Sequence, residues 1–246
     1  MKLTILGYYG GYPFNGGGTS GYLIQSQGFN LMLDAGSGTL LALQKVLDPL
    51  QLDALLLSHY HQDHIADVGV LQYEWQLQTG PRKQDVLPIY GHMEDPLNFA
   101  ALTWPAATIG KKYDPNSALE LGPFVITFLR TIHPVPTFAI RIVEKKTGSV
   151  LVYTADSAAM PALNDFAAKA NVLMVDTNFF ANRTGQLWHM TAPQAGQLAH
   201  QAQVKTLILT HLPQITSFEE LKQQASTKAG AAIKVLVAAD EKNIEI

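Results

Sequence analysis

Two periodicities alternate along this chain. Short apolar runs bounded by turn residues fall at 3–6, 21–25, 30–34, 54–57 and near 87–90, then at 124–131, 138–143, 150–154, 172–175, 206–209 and 234–238, and each reads as a strand. Helical spacing occupies 39–46, 65–77, 96–103, 162–169, 191–203 and 218–225. Strands and helices alternating through both halves predict an α/β sandwich with helices on its outer faces.

Polar chemistry collects where the apolar runs stop. The run 54–57 is followed by Ser58-His59-Tyr60-His61-Gln62-Asp63-His64, which sits on a strand-to-helix loop. Three imidazoles and a carboxylate so close on one turn can converge on a point, and zinc-like metals take that mixture of nitrogen and oxygen donors. His133 ends the run 124–131, just before Pro134, and Asp156 emerges after 150–154. His211 follows 206–209. Five of the eight histidines therefore lie at or just past strand ends, together with Asp34 and Asp156, as a site along one edge of a layered sheet requires.

Other positions carry two readings. Gly7 to Ser20 is dense in glycine without Walker or dinucleotide spacing, so it is either a phosphate cradle or a tightly turned wall beside a site. Asp34 is either the cap of the next helix or a carboxylate beneath a metal-ligating histidine, fixing its tautomer. His92 and Trp104 lie in the irregular stretch 78–120, as substrate contacts or as surface packing. Thr191 is placed to cap a helix with Pro193 in its first turn, and His200 packs or faces solvent within that helix.

Composition narrows the field. With 246 residues and ample apolar content the chain can bury a substantial core, and no linker divides it, so one domain over 1–246 is expected. Net charge of −3 gives no global basic field for polyanions. Cysteine is absent, which leaves any metal to histidine and carboxylate. The chain enters its first strand without a signal-peptide layout, and no apolar run approaches a membrane span, so a soluble cytoplasmic protein without membrane association is expected.

Leu33-Asp34-Ala35-Gly36, the His-x-His-x-Asp-His cluster, His133, Tyr153-Thr154-Ala155-Asp156-Ser157 and Leu209-Thr210-His211 run in one order over nearly the whole chain. Together they resemble the metallo-β-lactamase fold superfamily. The resemblance implies a four-layer αββα sandwich and two divalent metals, zinc above all, with manganese or iron also suited to the donors. It implies that His59, His61 and His133 hold one ion, that Asp63, His64 and His211 hold the other, and that Asp156 bridges them.

Within the superfamily the chain is most similar to the ribonuclease Z-like phosphodiesterases. The carboxylate bridge, the Gly7 to Ser20 opening and His189-Met190-Thr191 carry that likeness, and the β-lactamase branch has cysteine at the bridge. It implies that His189 aids phosphodiester cleavage. Two features depart from the pattern. The basic arm that grips tRNA in many ribonuclease Z enzymes falls between the counterparts of His133 and Asp156, where this chain has only strands and a tight hairpin. Asp156 also stands between Ala155 and Ser157 rather than the commoner Gly and Thr.

The chemistry expected is hydrolysis of a small phosphodiester such as a cyclic nucleotide by a metal-bridging hydroxide. Two ions about 4 Å apart would acidify that water and neutralise phosphoryl charge. Asp63 would orient the hydroxide as well as ligate, and His189 would stabilise the transition state or protonate the leaving oxygen. The rivals, in order, are tRNA 3′ processing with bound RNA, lactone or thioester hydrolysis, and a non-catalytic metal-binding module. A homodimer is expected from the resemblance alone.

Overall fold

The computed structural model describes residues 1–246. It has two compact units, Met1–Asp114 with Asn243–Glu245, and Pro115–Lys242 with Ile246. Each contains one sheet flanked by helices. No helix is long and apolar enough to cross a membrane.

The first unit holds β1 (Lys2–Tyr9), β2 (Gly18–Thr19), β3 (Gly21–Ser26), β4 (Phe29–Ala35), α1 (Thr39–Leu43), β5 (Ala54–Leu56), α2 (Gln62–Ile65), α3 (Val68–Leu77), β6 (Leu87–Gly91), α4 (Pro96–Ala101) and β7 (Thr108–Lys112). β1, β3 and β4 pair antiparallel, and β4, β5, β6 and β7 run parallel in that order. Gln27 and Gly28 turn the β3–β4 hairpin, both with positive φ. β4 and β5 are almost wholly buried, which explains their continuous apolar runs. Their core includes Leu23, Met32, Leu55, Leu71, Trp75 and Ile89.

The second unit holds β8 (Leu119–Leu121), β9 (Phe124–Arg130), β10 (Phe138–Glu144), β11 (Val150–Tyr153), α5 (Ala162–Phe166), β12 (Val172–Asp176), α6 (Ala192–Gln201), β13 (Thr206–Thr210), α7 (Glu219–Ala229) and β14 (Lys234–Val237). Strands β8 to β11 pair antiparallel as a meander, and β11 to β14 run parallel. The last strand, β15 (Asn243–Glu245), belongs to the first unit, where it pairs antiparallel with β1 through Lys2 and Glu245.

The α/β expectation is met, and the differences are local. The helix predicted over 65–77 is two helices, with Ala66 and Asp67 between them. Asp67 breaks the pattern because its Oδ2 accepts the Leu40 N–H at 2.8 Å, serving the start of α1. Strands β7, β8 and β15 were not legible. Each is short, and β7 and β15 are largely exposed, so neither carries an alternating apolar signature. The helices over 39–46 and 162–169 are shorter than predicted, and the last helix starts and ends later.

Candidate metal centre

In the first unit, Asp34 lies one residue from the end of β4 and is fully buried. Its φ of 53° puts a non-glycine residue in the left-handed region, at a cost of about 1–3 kcal/mol, and such strain persists where surrounding contacts hold it. Here those contacts are explicit. Asp34 Oδ1 accepts the Ser58 N–H at 2.8 Å, and Oδ2 accepts the Ser58 hydroxyl at 2.8 Å. His64 Nδ1 lies 2.7 Å from the same Oδ2.

The helix-cap reading of Asp34 is therefore corrected. The residue before α1 is Gly38, which makes no side-chain cap, and Asp67 takes the N–H of Leu40 instead. Asp34 is the carboxylate beneath the histidines.

Tautomers follow from this network. An ionised carboxylate only accepts, so the proton between Asp34 and His64 resides on His64 Nδ1. The Ser58 hydroxyl spends its one proton on Asp34, so it accepts from His59 Nδ1, 3.0 Å away. Both rings are left with a lone pair on Nε2. The His59 ring centroid lies 4.9 Å from that of His61 and 4.1 Å from that of His64.

Asp63 sits beside them in the first turn of α2, its Oδ2 accepting the Gly11 N–H at 2.7 Å. The glycine-rich opening is thus a wall tied to this cluster, as one of its two readings held. Gly36 permits the approach: a Cβ there would stand 2.0 Å from the Asp63 carbonyl oxygen. Beneath the cluster, the Tyr60 hydroxyl donates to the His92 carbonyl at 2.6 Å, and burial pushes the Tyr60 phenol above its ordinary range, with Asp95 adding to the shift. His92 is 1% exposed against Tyr60 and Tyr113, which corrects the surface-packing reading for it. Trp104 does pack at the surface, beside Tyr73.

The second unit assembles its cluster from four places. His133 follows β9, Asp156 follows β11, His189 precedes α6 and His211 follows β13. Ala155 and His211 have φ of 50° and 51°, so the chain turns sharply as it leaves these two strands. Asp176, the last residue of β12, is the functional residue that sequence reasoning passed over. Its Oδ2 accepts the Ser157 N–H at 3.0 Å and lies 2.7 Å from His189 Nδ1, while Oδ1 lies 3.1 Å from His211 Nδ1. The available signal was an Asp ending a buried strand, the same signal Asp34 gave.

His133 Nδ1 lies 3.3 Å from the Trp188 carbonyl, a pure acceptor, so Nδ1 carries the proton there too. The His189 ring stacks on His211 at 5.0 Å and 20°. Burial pulls the His189 pKa down, but the charge and hydrogen bond of Asp176 outweigh it and the net shift is upward.

These geometries test whether a metal fits. In His64, His133 and His211 the Nδ1 is backed by an acceptor, and the Nε2 stands 3.6, 3.7 and 3.4 Å from a carboxylate oxygen, of Asp63 for the first and of Asp156 for the other two. A lone pair facing a carboxylate at that range is repulsive unless a proton or a metal cation lies between. Two ligands bonded at about 2.0–2.1 Å to a tetrahedral ion sit roughly 3.3–3.4 Å apart, so the spacing suits shared coordination. The donors are nitrogen and oxygen only, as zinc and similar divalent ions accept. Asp156, Asp176, His189 and His211 each offer an atom within 4.8 Å of the others, but the oxygens of Asp176 are already engaged by Nδ1 groups and an amide. Those bonds orient the His189 and His211 rings.

Comparison with known proteins agrees with this chemistry. Residues 30–212 match the Beta-lactamase superfamily domain. The chain is 42% identical over 238 residues to the Probable metallo-hydrolase YhfI of Bacillus subtilis, covering 96% of each. The crystal structure of that metallo-β-lactamase fold protein superposes with a TM-score of 0.90 over 96% of this chain and 95% of that one, at 40% identity. Ribonuclease Z of Thermoplasma volcanium is 24% identical over 281 residues, 92% of this chain and 91% of that one. Human tRNase Z, short form, shares the fold with a TM-score of 0.75 at 21% identity, over 100% and 99% of the two chains. The chain belongs to the β-lactamase superfamily, and within it is similar to a probable metallo-hydrolase and, at lower identity, to ribonuclease Z.

Proposed function

We propose that the two units act as one hydrolase domain, and that their clusters serve a single dinuclear centre of a phosphodiesterase. His59, His61 and His133 would hold one ion, Asp63, His64 and His211 the other, and Asp156 both, with zinc as the metal. The observation that carries this reading is the shared design of the histidines: Nδ1 fixed by an acceptor and Nε2 turned to a carboxylate at 3.4–3.7 Å in either unit. Bound there, divalent ions supply an acidified water and neutralise charge on a phosphoryl group.

The residues of the chain supply the rest. Asp34 and Asp176 keep the ligating rings in one tautomer and one orientation. Asp63, fixed by the Gly11 N–H, orients the attacking water. His189, hydrogen-bonded through Nδ1 to Asp176, keeps its other ring nitrogen for the substrate. That nitrogen would meet the leaving oxygen or the charged transition state, with the Asp176 carboxylate favouring the protonated ring.

A small phosphodiester such as a cyclic nucleotide is the substrate we favour. β10 and β11 with their short turn fill most of the interval from His133 to Asp156, so no long basic arm emerges there. The likeness to ribonuclease Z of Thermoplasma volcanium supports tRNA 3′ processing as the second reading.

Metal-quantified protein should release p-nitrophenol from bis(p-nitrophenyl) phosphate, and the Asp63→Ala variant should not. Protein carrying two ions per chain that leaves the diester intact would overturn the phosphodiesterase reading and direct assays to lactones and thioesters.

A further inference from the structure

The stretch between β12 and α6 carries groups that the metal chemistry does not use. The chain has three tryptophans, and two have their indoles engaged. Trp75 is fully buried, with its N–H 3.4 Å from the Asp85 carbonyl, and Trp104 donates to Gln76 Oε1 at 2.9 Å. Trp188 is different. Its residue is 38% exposed, and its indole makes no hydrogen bond and no ring contact within the protein.

What is fixed about Trp188 is its backbone. Its carbonyl lies 3.3 Å from His133 Nδ1, and the next residue is His189, anchored on Asp176. The backbone of Trp188 is therefore fixed beside the second cluster, and its indole N–H and ring are engaged by no other residue.

Arg183 lies on the same stretch. Its guanidinium sits 4.9 Å from the centroid of the Phe179 ring, whose edge meets His189 at 5.7 Å. The stacking positions the guanidinium, yet it makes no hydrogen bond or ion pair, so its donors remain for an anionic acceptor.

An aromatic plane and a cation, both anchored to the group proposed to meet the leaving oxygen, fit one ligand chemistry. We infer that the stretch from Phe179 to Trp188 recognises a nucleotide, with Trp188 stacking on the base and Arg183 pairing with a phosphate oxygen. This rests on the phosphodiesterase reading and deepens it: the diester carries a nucleoside, as a cyclic nucleotide and an RNA 3′ end both do.

The test is binding to metal-loaded protein, which needs no turnover. Adenosine 5′-monophosphate should quench tryptophan fluorescence in the wild type but not in Trp188→Phe, whereas ribose 5-phosphate should quench neither. By calorimetry, Trp188→Ala should bind the nucleotide about tenfold more weakly and Trp188→Phe nearly as well as wild type, since a base stacks on either ring. Arg183→Ala should weaken nucleotide and ribose phosphate alike. Equal nucleotide affinity in wild type and Trp188→Ala, at unchanged metal content and melting temperature, would overturn the inference.

Cyclic AMP and a short oligoribonucleotide distinguish the two sources by which one Trp188→Ala weakens more. The two readings also fail separately. Nucleotide binding through Trp188 without diester hydrolysis would remove the phosphodiesterase and keep the recognition element, and diester hydrolysis indifferent to Trp188 would do the reverse.

Discussion

The two clusters use the same device and are built in opposite ways. In the first unit, His59, His61, Asp63 and His64 lie within six consecutive residues, and one buried carboxylate, Asp34, fixes the rings through Ser58 and directly. In the second, His133, Asp156, His189 and His211 leave four separate elements, and Asp176 joins two of them. A local cluster needs one correct turn. A dispersed one needs several strands in register, since β11, β12 and β13 must align before Asp156, Asp176 and His211 can meet. Damage to the second unit should therefore spread further than equivalent damage to the first.

The largest effect is expected at Asp156. It is 1% exposed, and Oδ2 lies 3.4 Å from His211 Nε2 and 3.7 Å from His133 Nε2, so both rings lose their shared partner in Asp156→Ala. Turnover should fall to background and metal content should drop, as read by elemental analysis of the purified variant. Full metal content with background turnover would instead make Asp156 a reacting group rather than a ligand.

His189→Ala comes next. Loss of a positioned proton donor costs typically about 10²–10⁴-fold in rate, and because Asp176 still holds His211, metal content should stay at the wild-type level. A variant that loses metal along with rate would place His189 among the ligands.

Asp34→Asn and Asp176→Asn compare the two supports directly. Replacing such a partner typically costs about 10–100-fold in metal affinity or activity, and Asn tolerates the left-handed backbone at position 34, so the charge is tested apart from the strain. Excess zinc should restore most of the turnover of Asp34→Asn, whose partners are proposed ligands. It should restore less to Asp176→Asn, because His189 has lost its partner as well. Equal rescue of both variants would show that Asp176 serves the metal alone.

This contrast also explains what the sequence disclosed. The His59 to His64 run is dense enough that its spacing alone implied a metal, and the parallel and hairpin strands other than β7 and β8 were visible as apolar runs. His133, Asp156 and His211 were legible only as polar residues ending such runs, a signal that became specific through the family order of the motifs. Asp176 had the same strand-end signal as Asp34 and no neighbouring motif, so nothing local distinguished it from a loop carboxylate. The hydrogen bonds that give it a role arise from residues 13 and 35 positions away. The split between α2 and α3 was hidden for a related reason: the cue is Asp67 bonding across to Leu40, a tertiary contact with no trace in helical spacing.

The smallest effect concerns how the second cluster receives His189. Thr191 begins α6 with a reciprocal cap, its hydroxyl accepting the Gln194 N–H while the Gln194 side chain accepts the Thr191 N–H. Thr191→Ala removes one half of that pair and should cost about 1 kcal/mol of stability, seen as a lower urea midpoint at unchanged slope. His189 is also held through Nδ1 by Asp176, and Met190 by its carbonyl, which accepts the Phe179 N–H at 3.3 Å. With those restraints intact, metal content and turnover should be close to wild type. A turnover loss well beyond the stability loss would mean that the helix start, and not Asp176, sets the position of His189, and the dispersed cluster would then depend on its helices as much as on strand register.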